Sequence, residues 1–391
     1  MKDIQIPVGF IPLVDAAPLI VAQEMGFAAE ERLSLELRRA PSWSSIRDML
    51  RYGRVDAAHM LSPVPVAGAL GLGGAGAPLC ALSVLSVNGH TIGVSADLAE
   101  RIRDQGHDFG FDDARAAGQA LIAAAGGPLR VGVPFPFSMH AELVYYWLSS
   151  LGMAVQRDVT IHTVPPPLMA DAMRSGEIDA FCVGEPWGSQ AVETGVATLL
   201  LPGAAIWAFA PEKVLAARTD WAETETDLVG RLIRAVWRAG AWLARPESRT
   251  LAAEILSRPA YLDLPADLLE RALSGRLVIS GRGEERSVAR FLEFHHGAAN
   301  FPWRSQAEWI GTRMALRHGL DPVQAGRAAR AVFRSDLYRA ALARVSPALP
   351  GASSKVEGSL ERDTHVASQS GKLILCRDTF FDGRFFEPAS D

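Results

Sequence analysis

Apolar residues along this chain fall into two kinds of pattern. Short apolar runs bounded by Gly, Pro or Asp read as buried strands, and segments with apolar residues three and four apart read as helices. Val8-Gly9-Phe10-Ile11-Pro12, Val131-Gly132-Val133-Pro134 and the run from Asp179 to Val183 are of the first kind. Of the second kind is the stretch carrying Leu228, Leu232, Ile233, Val236, Trp237 and Leu243, preceded by Glu223-Thr224-Glu225-Thr226-Asp227. Cap-forming and acidic residues ahead of that spacing predict an amphipathic helix to about Ala244, with its apolar stripe, Trp237 included, in the core. Two more helical segments are predicted, around Pro265 to Ser274 and Gln306 to Arg317.

The runs repeat. Val-Gly occurs at 8 and again at 131, and Gly53-Arg54-Val55-Asp56-Ala57 returns as Gly176-Glu177-Ile178-Asp179-Ala180, both at an offset of 123. Ser62-Pro63 and Glu185-Pro186 keep the same register. Each half reads as strand, helix, strand, helix, strand, which is an α/β unit. Two such units imply a cleft, and ligands of open α/β sheets lie beyond strand ends. His59 to Pro63 and Phe181 to Trp187 are the matching strand ends. The second, Phe181-Cys182-Val183-Gly184-Glu185-Pro186-Trp187, puts a small residue, a carboxylate and an aromatic together where a buried strand stops.

Composition narrows the functional classes. At 391 residues, 49% hydrophobic and 21% charged, the chain is long enough for two lobes of ordinary globular character. A net charge of −5 gives no general attraction to nucleic acid or anionic membrane. Cys80, Cys182 and Cys376 are odd in number and widely spaced, which favours reduced thiols. The opening Met1-Lys2-Asp3 runs directly into Ile4-Gln5-Ile6-Pro7-Val8 without an export-type apolar segment, so the expected location is cytoplasmic. Met60 to Ala96 is nearly uncharged, but its prolines and glycines would strand backbone groups in lipid. A buried helix, a Gly-rich loop and a core strand are expected there instead.

Towards the C-terminus, Phe301-Pro302-Trp303-Arg304 reads as a packed aromatic corner with Arg304 able to form a salt bridge. The adjacent His295-His296 pair points apart on any regular element, and no carboxylate cluster joins it in sequence, so no metal site is expected. Pro347 to Ser370 is polar and Gly/Ser-rich and reads as a loosely held linker. Leu373-Ile374-Leu375, Phe380-Phe381 and Phe385-Phe386 restore apolar character; this tail either folds back as an extra strand or docks a partner.

Candidate ligand residues cluster near predicted strand ends: Trp43, His90, His140, Gly184 with Glu185, and Lys213. Imidazole, ammonium and backbone N–H donors under an aromatic face suit a small oxyanion. No arrangement of nucleophile and base, metal-binding helix or phosphate loop stands in a convincing context, so no catalytic residues and no cofactor are expected.

Several of these strings resemble the nitrate- and bicarbonate-binding proteins of ABC transporters: Gly9 to Ile20, Ser42-Trp43 with Arg47-Asp48, Asp56 to Leu61, Val164 to Pro167, Asp179 to Trp187, and Pro211-Glu212-Lys213. The resemblance covers most of residues 5–320. It implies a type II periplasmic-binding-protein fold, α/β in class, with two lobes around a ligand cleft. Lobe 1 would hold 1–92 plus 205–345 with C-terminal helices, lobe 2 would hold 93–204, and 346–391 would form the linker and apolar tail. It further implies nitrate or nitrite held by Trp43, His140, the Gly184 backbone and Lys213, with His90 standing where the family usually has Gln. Bicarbonate binders are expected to carry an acidic residue at the position of Lys213. Within the wider family, an unexported chain resembles the cytosolic nitrate sensors (NasS-like). These hold a response-regulator-like RNA antiterminator (NasT-like) inactive and release it when the anion binds, so that the partner and not the sensor contacts RNA. The alternatives are a nitrate-binding subunit of an ABC transporter and an enzyme of the pyrimidine-synthase type on the same fold.

Overall fold

The two sequence repeats each build their own sheet. The computed structural model describes residues 3–346, 348–368 and 371–389. Strands β1 (Ile4–Phe10), β2 (Leu33–Arg39) and β3 (Ala57–Leu61) come from the first repeat, followed by β4 (Leu79–Asn88). Strands β5 (His90–Ser95), β6 (Leu129–Val133), β7 (Val159–Thr163), β8 (Ala180–Gly184) and β9 (Ala197–Pro202) form the second sheet, and β10 (Pro211–Arg218) returns to the first. The first sheet runs β4-β10-β3-β1-β2, with Leu292–Glu293 on the outer edge of β4; the second runs β7-β6-β8-β5-β9.

Within each sheet the repeat-derived strands are parallel, because helices such as Ala17–Glu24, Trp43–Arg51 and Met139–Ser150 make the crossovers. β10 inserts antiparallel between β3 and β4, and β5 inserts antiparallel between β8 and β9. Both sheets are therefore mixed. The offset of the repeat has a structural cause: Gly53 and Gly176 both turn the chain in the left-handed region, at φ +68° and +71°, just before β3 and β8. Every residue of β3, β4, β8 and β9 is buried, as strands covered on both faces should be.

Two crossings link the sheets, from β4 into β5 and from β9 into β10. Asn88 stitches them together: its side chain donates to the Ala208 carbonyl at 2.8 Å and accepts from Ala210 N–H at 3.2 Å. Strand ends approach across the cleft as well. Val14 N–H donates to the Glu185 carbonyl at 3.0 Å, and Trp187 Nε1–H donates to the Pro12 carbonyl at 2.9 Å. Glu185 itself is fixed by Thr91 Oγ1 at 2.9 Å and Ser189 N–H at 3.1 Å.

The predicted helices appear as Thr226–Leu243, Ala266–Ser274 and Arg304–His318, joined by Pro322–Arg330 and Ser335–Leu342. Trp237 is only half-buried, at the margin of its core, where its ring meets His295 edge-on at 5.0 Å. The aromatic corner is present, with Phe301 and Trp303 T-shaped at 4.7 Å and Arg304 3.7 Å from Asp336. Among the described residues no helix is long and apolar enough to cross a membrane. The uncharged stretch from Met60 becomes the helix Pro63–Ala69, a glycine loop, and β4.

The loosely held linker expected over 347–370 is corrected by the structure; 347, 369 and 370 lie outside the described residues. Arg339 grips the carbonyls of Pro350 and Ala352, and buried Glu357 accepts from Ser305 Oγ at 2.6 Å. Lys355 sits between Glu357 and buried Asp378. Polar composition misled because these side chains pair with one another inside the protein. Strands Thr364–Ser368 and Gly371–Leu375 form a separate hairpin, and Phe380 stacks on Trp207 at 4.7 Å. The tail thus folds back, as a hairpin of its own.

Candidate functional site: a buried charge cluster between the sheets

Six ionisable side chains converge where the two sheets meet, each no more than 1% exposed: Asp15, His59, His90, His140, Glu212 and Lys213. Asp15 comes from the loop after β1, His59 from β3, and His90 from the first residue of β5. Glu212 and Lys213 are neighbours on β10 at a register irregularity, which directs both into the same region. His140 lies in the first turn of the helix Met139–Ser150, whose Ser138 cap accepts from Ala141 N–H at 3.1 Å. Trp43 opens a second helix, capped by Ser42 accepting from Ser45 N–H at 3.2 Å. Both helices thus direct their positive ends towards the cluster.

Lys213 is the electrostatic centre. Its Nζ stands 2.7 Å from Asp15 Oδ2, 2.9 Å from Glu212 Oε1 and 5.5 Å from the Trp43 ring centroid. His59 accepts the Ile11 N–H on Nδ1 at 3.4 Å, so its ring proton sits on Nε2, 2.9 Å from Asp15 Oδ1. The Nδ1 atoms of His90 and His140 each stand 3.2 Å from Glu212, on Oε2 and Oε1 respectively. Their rings are 5.1 Å apart.

Burial and pairing act against each other on Asp15, His59, His140, Glu212 and Lys213. Burial disfavours the charged carboxylates, but Lys213 and His59 outweigh it at Asp15, which is held below its ordinary value. At Glu212 burial is likewise outweighed, by His140, Lys213 and His90, and the carboxyl is held well down. Burial would lower Lys213, yet Asp15 and Glu212 raise it, so it stays an ammonium. At two imidazoles burial is not outweighed: it lowers His59 and pushes His140 down to about 3.

Within the cluster, Trp43 Nε1, His140 Nε2 and His90 Nε2 are buried with neither a hydrogen-bond partner nor a carboxylate beside them among the described residues. Buried polar atoms of this kind mark ligand positions or strain. The backbone of Gly184 shows where His140 Nε2 faces. A Cβ placed there would sit 3.8 Å from His140 Nε2, 3.6 Å from Asp15 Oδ2 and 2.8 Å from Leu13 Cδ2. His90 faces elsewhere: a Cβ on Gly203 would lie 1.7 Å from its Nε2, so the ring rests on the second crossing.

Of the five residues proposed from sequence, Trp43, His140, Gly184 and Lys213 are brought together around one region. His90 joins the cluster but is turned to Glu212 and Gly203. Asp15, His59 and Glu212 were missed as site residues. Each is an ionisable residue in a mostly apolar stretch, but nothing in the sequence marks the partners that give it a role.

Among the described residues, two groups of donors are close enough to hold a cation. His90, His140 and Glu212 present theirs within 4.8 Å of one another, but the Lys213 ammonium already occupies the same carboxylate oxygen. His296 lies near Asp363 and Cys376 at the same limit, so a carboxylate and a thiol from the tail do join one member of the histidine pair. There Arg290 grips both Asp363 oxygens, and burial pushes the Cys376 thiol up to about 12. Both clusters are thus balanced by a protein cation.

The profile of the NMT1-like family matches residues 1–257. The chain belongs to the NMT1-like family. Among its relatives, the nitrate/nitrite binding protein NrtA of Nostoc sp. is 30% identical over 390 residues, covering 97% of this chain and 82% of that protein. The NrtA of Synechococcus elongatus is 31% identical, with 98% and 83% covered. The nitrate import ATP-binding protein NrtC of Synechococcus elongatus is 33% identical over 86% of this chain, which spans only 50% of that longer protein. The crystal structure of the periplasmic nitrate-binding protein NrtA from Synechocystis superposes with a TM-score of 0.84 at 28% identity, over 99% of this chain and 96% of that one. This NMT1-like chain therefore has the two-lobed periplasmic-binding-protein fold.

Proposed function

We propose that this protein binds nitrate or nitrite between its two lobes, without chemical turnover. The observation that carries the reading is a set of groups linked through Asp15: a buried ammonium on Lys213 beside Asp15 and under the Trp43 ring, and an unpartnered His140 Nε2 that, like Asp15, faces Gly184. Nitrate and nitrite are small planar anions that only accept hydrogen bonds near neutral pH, and this set offers charge and a ring nitrogen to match. Similarity to the NrtA proteins supports the same ligand class.

The direct test is calorimetric titration of the purified protein with nitrate, nitrite and bicarbonate. Nitrate or nitrite should bind and bicarbonate should not. Lys213→Ala and His140→Ala should each weaken binding about tenfold or more, since each removes a charge-assisted hydrogen bond of about 1.5–3 kcal/mol. Unchanged affinity in both variants removes these residues from the site.

The finer reading is a cytoplasmic sensor that holds a response-regulator-like RNA antiterminator and releases it when the anion binds. Three free, buried cysteines support a reducing compartment. Contacts such as Trp187 to Pro12 join the two sides; an anion touching both would favour the arrangement that has them, and a partner specific for lobes apart would be released. Pull-down of the antiterminator with and without nitrate or nitrite tests this; a complex indifferent to both anions removes it. Similarity to a periplasmic nitrate-binding protein favours a second reading, the binding subunit of an ABC transporter. In that case the protein should associate with a membrane permease and restore nitrate uptake to a strain lacking it.

A further inference from the structure

We propose that the cleft takes up one proton together with each anion, and that this proton settles on the His140 imidazole. The inference rests on the reading of the cleft as an anion site. It follows from where the two nitrogens of that ring face.

His140 Nδ1 stands 3.2 Å from Glu212 Oε1, and Nε2 faces the region in front of Gly184. A neutral imidazole has one N–H and one lone pair. If the proton is on Nδ1, the Nε2 lone pair is aimed at the incoming anion. If it is on Nε2, the Nδ1 lone pair is aimed at the Glu212 carboxylate. Only the imidazolium donates in both directions. Neither other histidine is in this position. His59 is satisfied as a neutral ring, accepting from Ile11 and facing Asp15, while His90 lies between Glu212 and the Gly203 backbone.

The charge balance points the same way. The groups facing His140 are Glu212 and Lys213 from β10, His90 from β5 and Asp15 from the loop after β1. Asp15, Glu212 and Lys213 together sum to one negative charge in a region sealed from water. A second negative charge added there is strongly disfavoured unless a positive one arrives with it. Burial holds His140 neutral near physiological pH until that second anion is beside it. Anion and proton then enter as a pair, each raising the affinity for the other.

The test is titration of the wild-type protein with nitrate and with nitrite in two buffers of different ionisation enthalpy. Uptake of about one proton per anion is expected, with Kd rising about tenfold per pH unit between about pH 6 and about pH 8. Equal heats in both buffers, with a flat Kd, overturn the proposal while leaving the anion site standing. Absence of binding at every pH overturns the anion reading on which it rests. His140→Gln should bind more weakly, with no proton uptake and a flat pH profile; undiminished uptake in that variant overturns the assignment to His140. Nitrogen-15 imidazole shifts of the wild-type complex supply a readout that needs no variant. Both His140 nitrogens should report protonation at about pH 7, and a neutral ring in the complex contradicts the proposal.

Discussion

Replacing Lys213 with Met tests the electrostatic centre of the cleft, because the change keeps the apolar stem and deletes only the charge. The ammonium is fully buried, at 2.7 Å from Asp15 and 2.9 Å from Glu212. Removing it leaves two buried carboxylates with no fixed positive partner. Breaking a buried pair in this way costs about 3–5 kcal/mol, which is a large share of the roughly 5–15 kcal/mol that holds a domain together. The carboxylates can limit the loss by taking up protons, so the penalty should shrink as pH falls. Urea denaturation at neutral pH should therefore show a loss of about 3 kcal/mol or more, and the same experiment near about pH 5 a smaller one. Adding Glu212→Gln to Lys213→Met should recover much of the stability and none of the anion binding. A stability loss below about 1 kcal/mol at neutral pH would mean that water reaches the cluster, as for an exposed pair, and would refute the dry-cleft electrostatics on which the functional reading stands.

Three further outcomes are expected. The folded-state pKa of His140 is depressed, so the unfolded chain binds the extra proton first and stability falls as pH drops from about 6.5 to about 3; His140→Gln should remove a slope of about 1.4 kcal/mol per pH unit from that window in denaturation curves. Gly184→Ala places a methyl 2.8 Å from Leu13 Cδ2 and 3.8 Å from His140 Nε2, so anion affinity measured by calorimetry should drop at least about tenfold while Tm moves little, the near neighbour being the end of a side chain that can shift. Trp187→Phe deletes the donor to the Pro12 carbonyl across the cleft; affinity should weaken about five- to tenfold, matching one hydrogen bond of about 1 kcal/mol, with nitrate still binding in the same stoichiometry.

The fold was legible because its evidence lies in local pattern. Gly53 and Gly176 are needed for the same left-handed turn before the same buried strand, so the repeat reports a backbone requirement directly. The inserted strands β5 and β10 were harder to place, since sequence order says nothing about antiparallel insertion between strands far away along the chain. The tail was misread for a different reason. Lys355, Glu357 and Asp378 look like solvated residues in sequence and are a buried ion-pair group in the structure. At the site, the aromatic and basic residues were legible from motif, whereas Asp15, His59 and Glu212 were not. Their roles come from pairing with Lys213 and the histidines, and pairing between residues up to about two hundred positions apart is set by topology.

The strand end at Phe181 to Trp187 shows how binding and closure can be one event. Gly184 lies against His140 and Asp15, and a side chain there would press on Leu13 and take space in front of both. The next residues fasten the lobes: the Glu185 carbonyl accepts from Val14, and Trp187 donates to Pro12. Lys213 and Asp15 belong to the first sheet's side of the cleft, while His140 and Gly184 belong to the second. An anion touching both sides would favour an arrangement that keeps these bonds over one with the lobes apart, by as much as its contacts differ between the two. The converse follows by reciprocity. Any partner that prefers the lobes apart must weaken the anion by the same factor that the anion weakens the partner. Measuring nitrate affinity with and without a bound antiterminator or permease therefore gives the coupling directly, and equal affinities would mean that the latch is structural and carries no signal.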